Sequence, residues 1–252
     1  MKRFVIGDIH GAYRALLELL QKVNFDFEED ELIVLGDVVD GWSESKQCID
    51  LLLRIKNRII LRGNHDEWAW SYYTGRLAGE LLHSWSLQGG KETLLSLGRK
   101  DQLDQKYINF FNEAVYFYEE GDRLFVHANV PLAVAKFAQI ALTEIDSDEF
   151  CWKREMVYEA NYFKDIPNWT WGIRWKEIFV GHTPIQRFLQ DVKVEPQHWG
   201  NIWLMDTGAS FEGNISIMNI DTKEITQSTP CQQLYPDEKG RNRFSWHEKT
   251  KR

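Results

Sequence analysis

The stretch Arg3-Phe4-Val5-Ile6-Gly7-Asp8-Ile9-His10-Gly11 decides how the rest of the chain is read. A short run of strand-forming residues meets a glycine, and a carboxylate and an imidazole follow two positions apart. Residues 12–23 then carry Leu16, Leu17, Leu19, Leu20 and Val23 at helical period. The same pattern returns twice. An apolar run at 31–35 ends in Gly36-Asp37-Val38-Val39-Asp40. After a helical pattern at 48–55, a third run at 57–61 ends in Arg62-Gly63-Asn64-His65-Asp66. This β-loop-α-β rhythm predicts an α/β sheet whose polar loops gather at the carboxyl ends of the strands, where such sheets bind ligands.

Working outward, residues 67–98 read as helical. Strands are expected at 114–119 and 123–128, joined across Glu120-Gly121-Asp122, with His127-Ala128 closing the second. Another strand at 177–180 runs into Gly181-His182-Thr183-Pro184, and further strands are expected at 202–205, 215–220 and 224–228. Between them, 131–176 holds Trp152, Trp169, Trp171 and Trp175 and reads as a helical insertion overhanging the site. The chain reads as a single domain over 1–235, with a polar, basic and loosely held tail at 236–252.

The 252 residues are 43 % hydrophobic, enough for a substantial core. Lys plus Arg total 30 against 38 Asp plus Glu, a net charge of −8. That sign argues against a nucleic-acid binder. It is compatible with small phosphorylated substrates, because bound metals invert the local field. Cys48, Cys151 and Cys231 stand far apart without a CxxC pair, as suits a reducing compartment. The apolar run after Met1 is too short for a signal peptide and no segment approaches a membrane span, so the expected location is the cytoplasm.

The five motifs supply Asp8, His10, Asp37, Asn64, His127 and His182, a mixed oxygen and nitrogen set suited to two divalent metals. Paired metals are a general solution for displacement at phosphorus. Asp37 has two oxygens and could bridge the pair, with Asn64, His127 and His182 completing the second site. Taken singly, each is as readily a turn aspartate or a core histidine, and His83, His198 and His247 are given that plain reading. His65 is expected to donate a proton rather than bind metal, with Asp40 orienting its imidazole. Arg62 is expected to face the phosphate, with Arg154 second and Arg174 third.

With these residues in this order, the chain resembles the calcineurin-like metallophosphoesterase superfamily. Within it the chain is most similar to the phosphoprotein-phosphatase branch, including bacterial serine/threonine phosphatases and symmetrical diadenosine tetraphosphate hydrolases. Trp85-x-x-x-Gly89-Gly90-x-x-Thr93-Leu94, Trp152-Lys153-Arg154 and Asp206-Thr207-Gly208-Ala209 are similar to further segments of the bacterial members. The resemblance implies a four-layer sandwich of two mixed β-sheets flanked by helices. It also implies a dinuclear site holding Mn foremost, with Fe, Zn or Ni as other choices. Pro184 stands where many relatives carry a second histidine, so the first metal would rely on Asp8, His10, Asp37 and water. One departure stands out. The branch reads GDxVDRG, and its arginine grips the phosphate, whereas this chain has Asp40-Gly41-Trp42. Trp42 is left between two roles, stacking on a substrate ring or filling the core.

The expected activity is hydrolysis of phosphoserine or phosphothreonine through attack by a bridging hydroxide. The substrate would be a phosphorylated protein or a small phosphorylated molecule, with neither nucleic acid nor membrane as partner. A nucleotide or dinucleoside polyphosphate, stacked on Trp42 and the Trp-rich insertion, is the alternative. A non-catalytic scaffold is the third reading, disfavoured because every ligand and the acid are retained.

Overall fold

The computed structural model describes residues 1–137, 140–189 and 194–242. The strands are β1 (Arg3–Ile6), β2 (Glu31–Val34), β3 (Asn57–Ile60), β4 (Phe117–Glu120), β5 (Arg123–Val126), β6 (Glu177–Val180), β7 (Gln197–Trp199), β8 (Ile202–Leu204), β9 (Ser216–Asn219) and β10 (Ile225–Gln227). The helices are α1 (Tyr13–Lys22), α2 (Ser45–Leu52), α3 (Asn64–Tyr73), α4 (Gly79–Trp85), α5 (Lys91–Leu97), α6 (Gln105–Glu113), α7 (Leu132–Lys136), α8 (Ser147–Cys151), α9 (Glu155–Phe163) and α10 (Cys231–Leu234).

The strands form two sheets, in the orders β10-β9-β1-β2-β3 and β4-β5-β6-β8-β7. β1, β2 and β3 run parallel, as do β5, β6 and β8, while the remaining pairings are antiparallel. Both sheets are therefore mixed. The period-2 alternation of strand side chains divides the core. Phe4, Ile6, Leu32 and Val34 pack outward against Leu16 and Leu19 of α1 and Ile49 of α2. Val5 and Ile33 point the other way, to Phe125, Phe179 and Met205 of the second sheet. That inner layer includes a stacked pair, Phe125 on Phe179, with ring centroids 4.8 Å apart. A third cluster, with Val126, Val157 and Trp171, covers the outer face of the second sheet. The result is the expected four layers: helices, sheet, sheet, helices.

Several local expectations are corrected. The helical stretch 67–98 is three helices, and α3 already begins at Asn64. The break before α5 falls at Gly89, whose φ of +110° excludes a continuous helix. There the backbone passes so close to Gly41 that a Cβ on Gly89 would lie 2.5 Å from the Gly41 nitrogen. β7 was not expected, because Gln197-His198-Trp199 is short and half polar. Its His198 stacks on Trp203 with centroids 4.1 Å apart, the plain reading given to it.

Trp42 belongs to the core. It is 0 % exposed, its indole N–H donates to the Ala209 carbonyl at 2.7 Å, and its ring stacks on Tyr235 at 5.0 Å. It offers no surface to a substrate ring. The start of the tail is also anchored. Glu238 accepts from the Ser43 backbone N–H at 3.0 Å and from the Ser43 hydroxyl at 2.7 Å, and Asn242 donates to Gln232 at 3.1 Å. The loose-tail expectation therefore fails for 236–242. The remainder, 243–252, and with it His247, lies outside the described residues. The insertion docks against the end of β5, where the Ala128 N–H donates to Phe150 at 2.8 Å and Trp171 donates to Val130 at 2.8 Å. Among the described residues, no helix is long and apolar enough to cross a membrane.

Candidate metal centre and proton donor

Six loops meet at one place, three from the parallel strands of each sheet. β1 delivers Asp8 and His10, β2 delivers Asp37 and Asp40, and β3 delivers Asn64 and His65. From the second sheet, β5 delivers His127, β6 His182 and β8 Asp206. The loops are bound together through side chains. Asp66 accepts from the Val38 N–H at 2.9 Å and the Gly63 N–H at 3.0 Å, pinning the second loop to the third. Asp8 accepts from the His182 N–H at 3.0 and 3.1 Å, pinning the first sheet to the second. Asp37 accepts from the His65 N–H at 2.9 Å. Gly63 and Gly181 leave room for this, since a Cβ on either would run into Asp37 or Asp8. The backbone carries strain here too. His10, Asp37, Asp40 and His182 all have positive φ, between 50° and 68°, although none is glycine.

Each of the three candidate ligand histidines has one ring nitrogen tied to a backbone carbonyl, Nδ1 in His10 and His127 and Nε2 in His182. The His10 Nδ1–H donates to the Asp40 carbonyl at 2.7 Å, and that of His127 donates to Leu35 at 2.7 Å. His182 donates through Nε2 to Trp152 at 3.2 Å. Each ring therefore turns a bare nitrogen lone pair inward. Those lone pairs meet only acceptors. His10 Nε2 lies 3.7 Å from Asp8 Oδ2 and 3.6 Å from Asp37 Oδ2. His127 Nε2 lies 3.5 Å from Asp37 Oδ1, 3.2 Å from Asn64 Oδ1 and 3.2 Å from His182 Nδ1.

Lone pair facing lone pair in a buried site is unfavourable unless a cation lies between. Coordination bonds of about 2.0–2.2 Å hold neighbouring ligand atoms roughly 3–3.5 Å apart, the spacing these atoms approach. Two overlapping clusters result, His10–Asp37–His65 and Asp37–His127–His182, each with its ligand-type atoms within 4.8 Å of one another. Asp37 is common to both. The donor set thus fits two adjacent cations sharing one carboxylate. Electrostatics agrees. Burial first, and Asp37 among the neighbouring charges, pushes Asp8 and Asp66 up to about 7, and burial raises Asp206 well above the carboxylate range. This crowding of buried carboxylates is relieved by positive charge.

His65 belongs to the first of these clusters and also has a carboxylate partner of its own. Its Nδ1–H donates to Asp40 Oδ2 at 2.8 Å, which leaves Nε2 free toward the cluster. Asp40 is 0 % exposed and accepts further hydrogen bonds from Trp85 Nε1 at 2.6 Å and Thr93 Oγ1 at 2.6 Å. Three donors thus fix one carboxylate, which fixes the imidazole. Burial pushes Asp40 up against the pull of the Thr93 and Trp85 donors, and burial pushes His65 down. Sequence reasoning placed Trp85, Thr93 and Asp206 in motifs without assigning them roles. Only the fold brings the first two onto Asp40.

The arginines divide. Arg62 was expected at the phosphate, but its guanidinium donates to Glu67 at 3.0 Å and to the Phe111 carbonyl, and lies 4.4 Å from the Trp70 ring centroid. Both Nη groups are thus spent on a buried tie between α3 and α6, and only its Nε is without a partner. Arg174 is likewise committed, donating to Ile140 at 2.9 Å and to Glu119 at 3.3 Å. Arg154 fits the expectation better. It feels Asp37 and Asp206, its Nη1 donates only weakly to Trp152 at 3.3 Å, and its buried Nε has no partner.

Comparisons with known proteins agree with this geometry. The family model for calcineurin-like phosphoesterases matches residues 1–243. Serine/threonine-protein phosphatase 1 of Salmonella typhimurium is 26 % identical, over 86 % of this chain and 91 % of its own length. The asymmetrical bis(5'-nucleosyl)-tetraphosphatase PrpE of Geobacillus thermodenitrificans is 22 % identical, over 94 % of this chain and 97 % of its own length. Among solved structures, one assigned as a diadenosine tetraphosphatase superposes with a TM-score of 0.62 at 16 % identity, covering 90 % of this chain and 92 % of that one. The chain belongs to the calcineurin-like phosphoesterase family and is a metallophosphatase.

Proposed function

We propose that this phosphatase hydrolyses phosphate monoesters with poor leaving groups, foremost phosphoserine and phosphothreonine in proteins. The observation that carries the reading is the His65–Asp40 pair beside the ligand cluster, with Asp40 held by three donors. An alkoxide leaves badly unless protonated, so a positioned acid is worth having for serine and threonine esters. A dinucleoside polyphosphate releases a phosphate oxygen, which needs a proton far less.

When bound, two divalent cations, with manganese the favoured identity, would neutralise phosphoryl charge and acidify a water. Asp8, His10 and Asp37 would hold one, and Asp37, Asn64, His127 and His182 the other. With Nδ1–H held by Asp40, the ring in its doubly protonated form directs Nε2–H at the leaving oxygen, gives up that proton as the ester bond breaks, and returns to the neutral Nδ1–H form. Arg154 offers its unmatched guanidinium edge to the phosphoryl oxygens. Trp42, being buried, gives no support to a stacked base, which counts against the nucleotide alternative. Cys48, Cys151 and Cys231 are all free and buried, which supports a reducing compartment such as the cytoplasm.

Parallel assays with Mn²⁺ on a phosphoserine peptide and on diadenosine tetraphosphate test the substrate class. The peptide is expected to be the better substrate in kcat/KM by at least about tenfold, or about 1.4 kcal/mol of transition-state stabilisation. The reverse order would move the assignment to nucleotides.

A further inference from the structure

We propose that Arg241, delivered from the far end of the chain, is a phosphate-binding residue of this site. The path of the backbone carries the inference. After α10 the chain turns back across the first sheet's loops, and Trp42 is the floor it crosses. Gly240, at φ +52°, lies so close to that indole that a Cβ there would stand 2.8 Å from the ring. The Arg241 N–H donates to Ser210 at 2.9 Å, in the loop just after Asp206. Its side chain then runs over Gly41, where a Cβ would stand 3.8 Å from the Arg241 Cγ and only 3.1 Å from the His10 carbonyl.

Gly41 itself has φ +134°, a conformation an arginine would not adopt without strain. Position 41 thus cannot carry the guanidinium, and it leaves the space through which Arg241 enters. In Asp40-Gly41-Trp42 the glycine opens the gap and the tryptophan anchors the segment that fills it.

Once there, the guanidinium is close enough to interact with Asp8, Asp37, Asp40 and Asp206, and with His10, His65 and His182. Yet it forms no ion pair among the described residues. Among the described residues its one side-chain hydrogen bond goes from Nη2 to Gln88 at 3.2 Å, and the guanidinium lies 5.4 Å from the centre of the Phe211 ring. A half-buried guanidinium with spare donors beside a centre built for a phosphoryl group is suited to bidentate recognition of that group. Arg154, from the insertion, also feels Asp37 and Asp206, two of these carboxylates.

This inference rests on the phosphoesterase reading, and its test is a binding measurement that does not require turnover. Inorganic phosphate is titrated calorimetrically into manganese-loaded wild-type, Arg241→Gln and Arg241→Lys proteins. Bound manganese is counted in each sample. Arg241→Gln is expected to weaken phosphate binding by about 10- to 100-fold at unchanged manganese content, with Arg241→Lys in between. KM for the phosphopeptide should rise in the same order. Unchanged phosphate affinity in Arg241→Gln would overturn the proposal. So would a loss of manganese that alone accounts for the weaker binding, since Arg241 would then serve the ligand cluster. Should the wild type fail to hydrolyse any phosphate ester, the functional reading falls, while the phosphate titration still decides Arg241.

Discussion

Replacing Asp37 by asparagine is expected to lower phosphatase activity by at least about a thousandfold, because it removes the one charge both halves of the centre share. Asp37 presents one oxygen 3.5 Å from His127 and the other 3.6 Å from His10. Asparagine keeps the shape and one acceptor, enough to retain the bond from the His65 N–H, but not a second anionic oxygen. Stability should move the opposite way. Asp37 contributes to raising Asp8, Asp66 and Asp206, so it repels its neighbours when no cation is present. The metal-free variant should therefore melt at or above the temperature of the metal-free wild type, while Mn²⁺ should raise the wild-type Tm more than that of the variant. Thermal scans with and without chelator, beside turnover of an aryl phosphate, check both parts. A variant that melts lower without metal would mean that Asp37 serves the fold first and the centre second.

The other large effect is expected at His65. His65→Asn should slow phosphoserine hydrolysis by about 10²- to 10⁴-fold, the usual range for a lost general acid. An aryl phosphate, whose phenolate departs without a proton, should slow far less. The gap between the two substrates is the diagnostic quantity, because a merely damaged centre slows both alike. Asp40→Asn should open a smaller gap of the same sign, since Asp40 acts only through the ring it holds at 2.8 Å. Equal slowing of both substrates in His65→Asn would remove the proton-donor role.

The central strands and their loops were legible because β1 and β2 carry apolar runs ended by glycine and carboxylate, and β3 runs through Ile59, Ile60 and Leu61 into Arg62-Gly63-Asn64, a local signal. The four layers came from resemblance, and the alternation of Val5 and Ile33 against Phe4 and Leu32 explains them physically. β7 escaped because three half-polar residues carry no periodicity, and they pair only because β8 is beside them. The direction of the Arg62 side chain was not legible, for an instructive reason. The Arg62-Gly63-Asn64-His65-Asp66 motif fixes where the backbone goes, but the direction of the guanidinium is set by Glu67, Trp70 and Phe111, two of which come from later helical turns and one from α6. Trp42 could not be placed either, since its partners Ala209, Tyr235 and Gly240 are nearly 170 to 200 positions away. For the same reason nothing in the tail's composition distinguishes Arg241 from the other basic residues around it. Contacts of that range are made by the fold, and a single sequence does not show them.

The most direct test of the account is a metal count. Protein stripped with a chelator, reloaded with Mn²⁺ and desalted should retain two manganese ions per chain, and low-temperature electron paramagnetic resonance should show them magnetically coupled through their shared carboxylate. One ion or none, or two that are uncoupled, would contradict the convergence of Asp8, His10, Asp37, Asn64, His127 and His182 on a single paired centre.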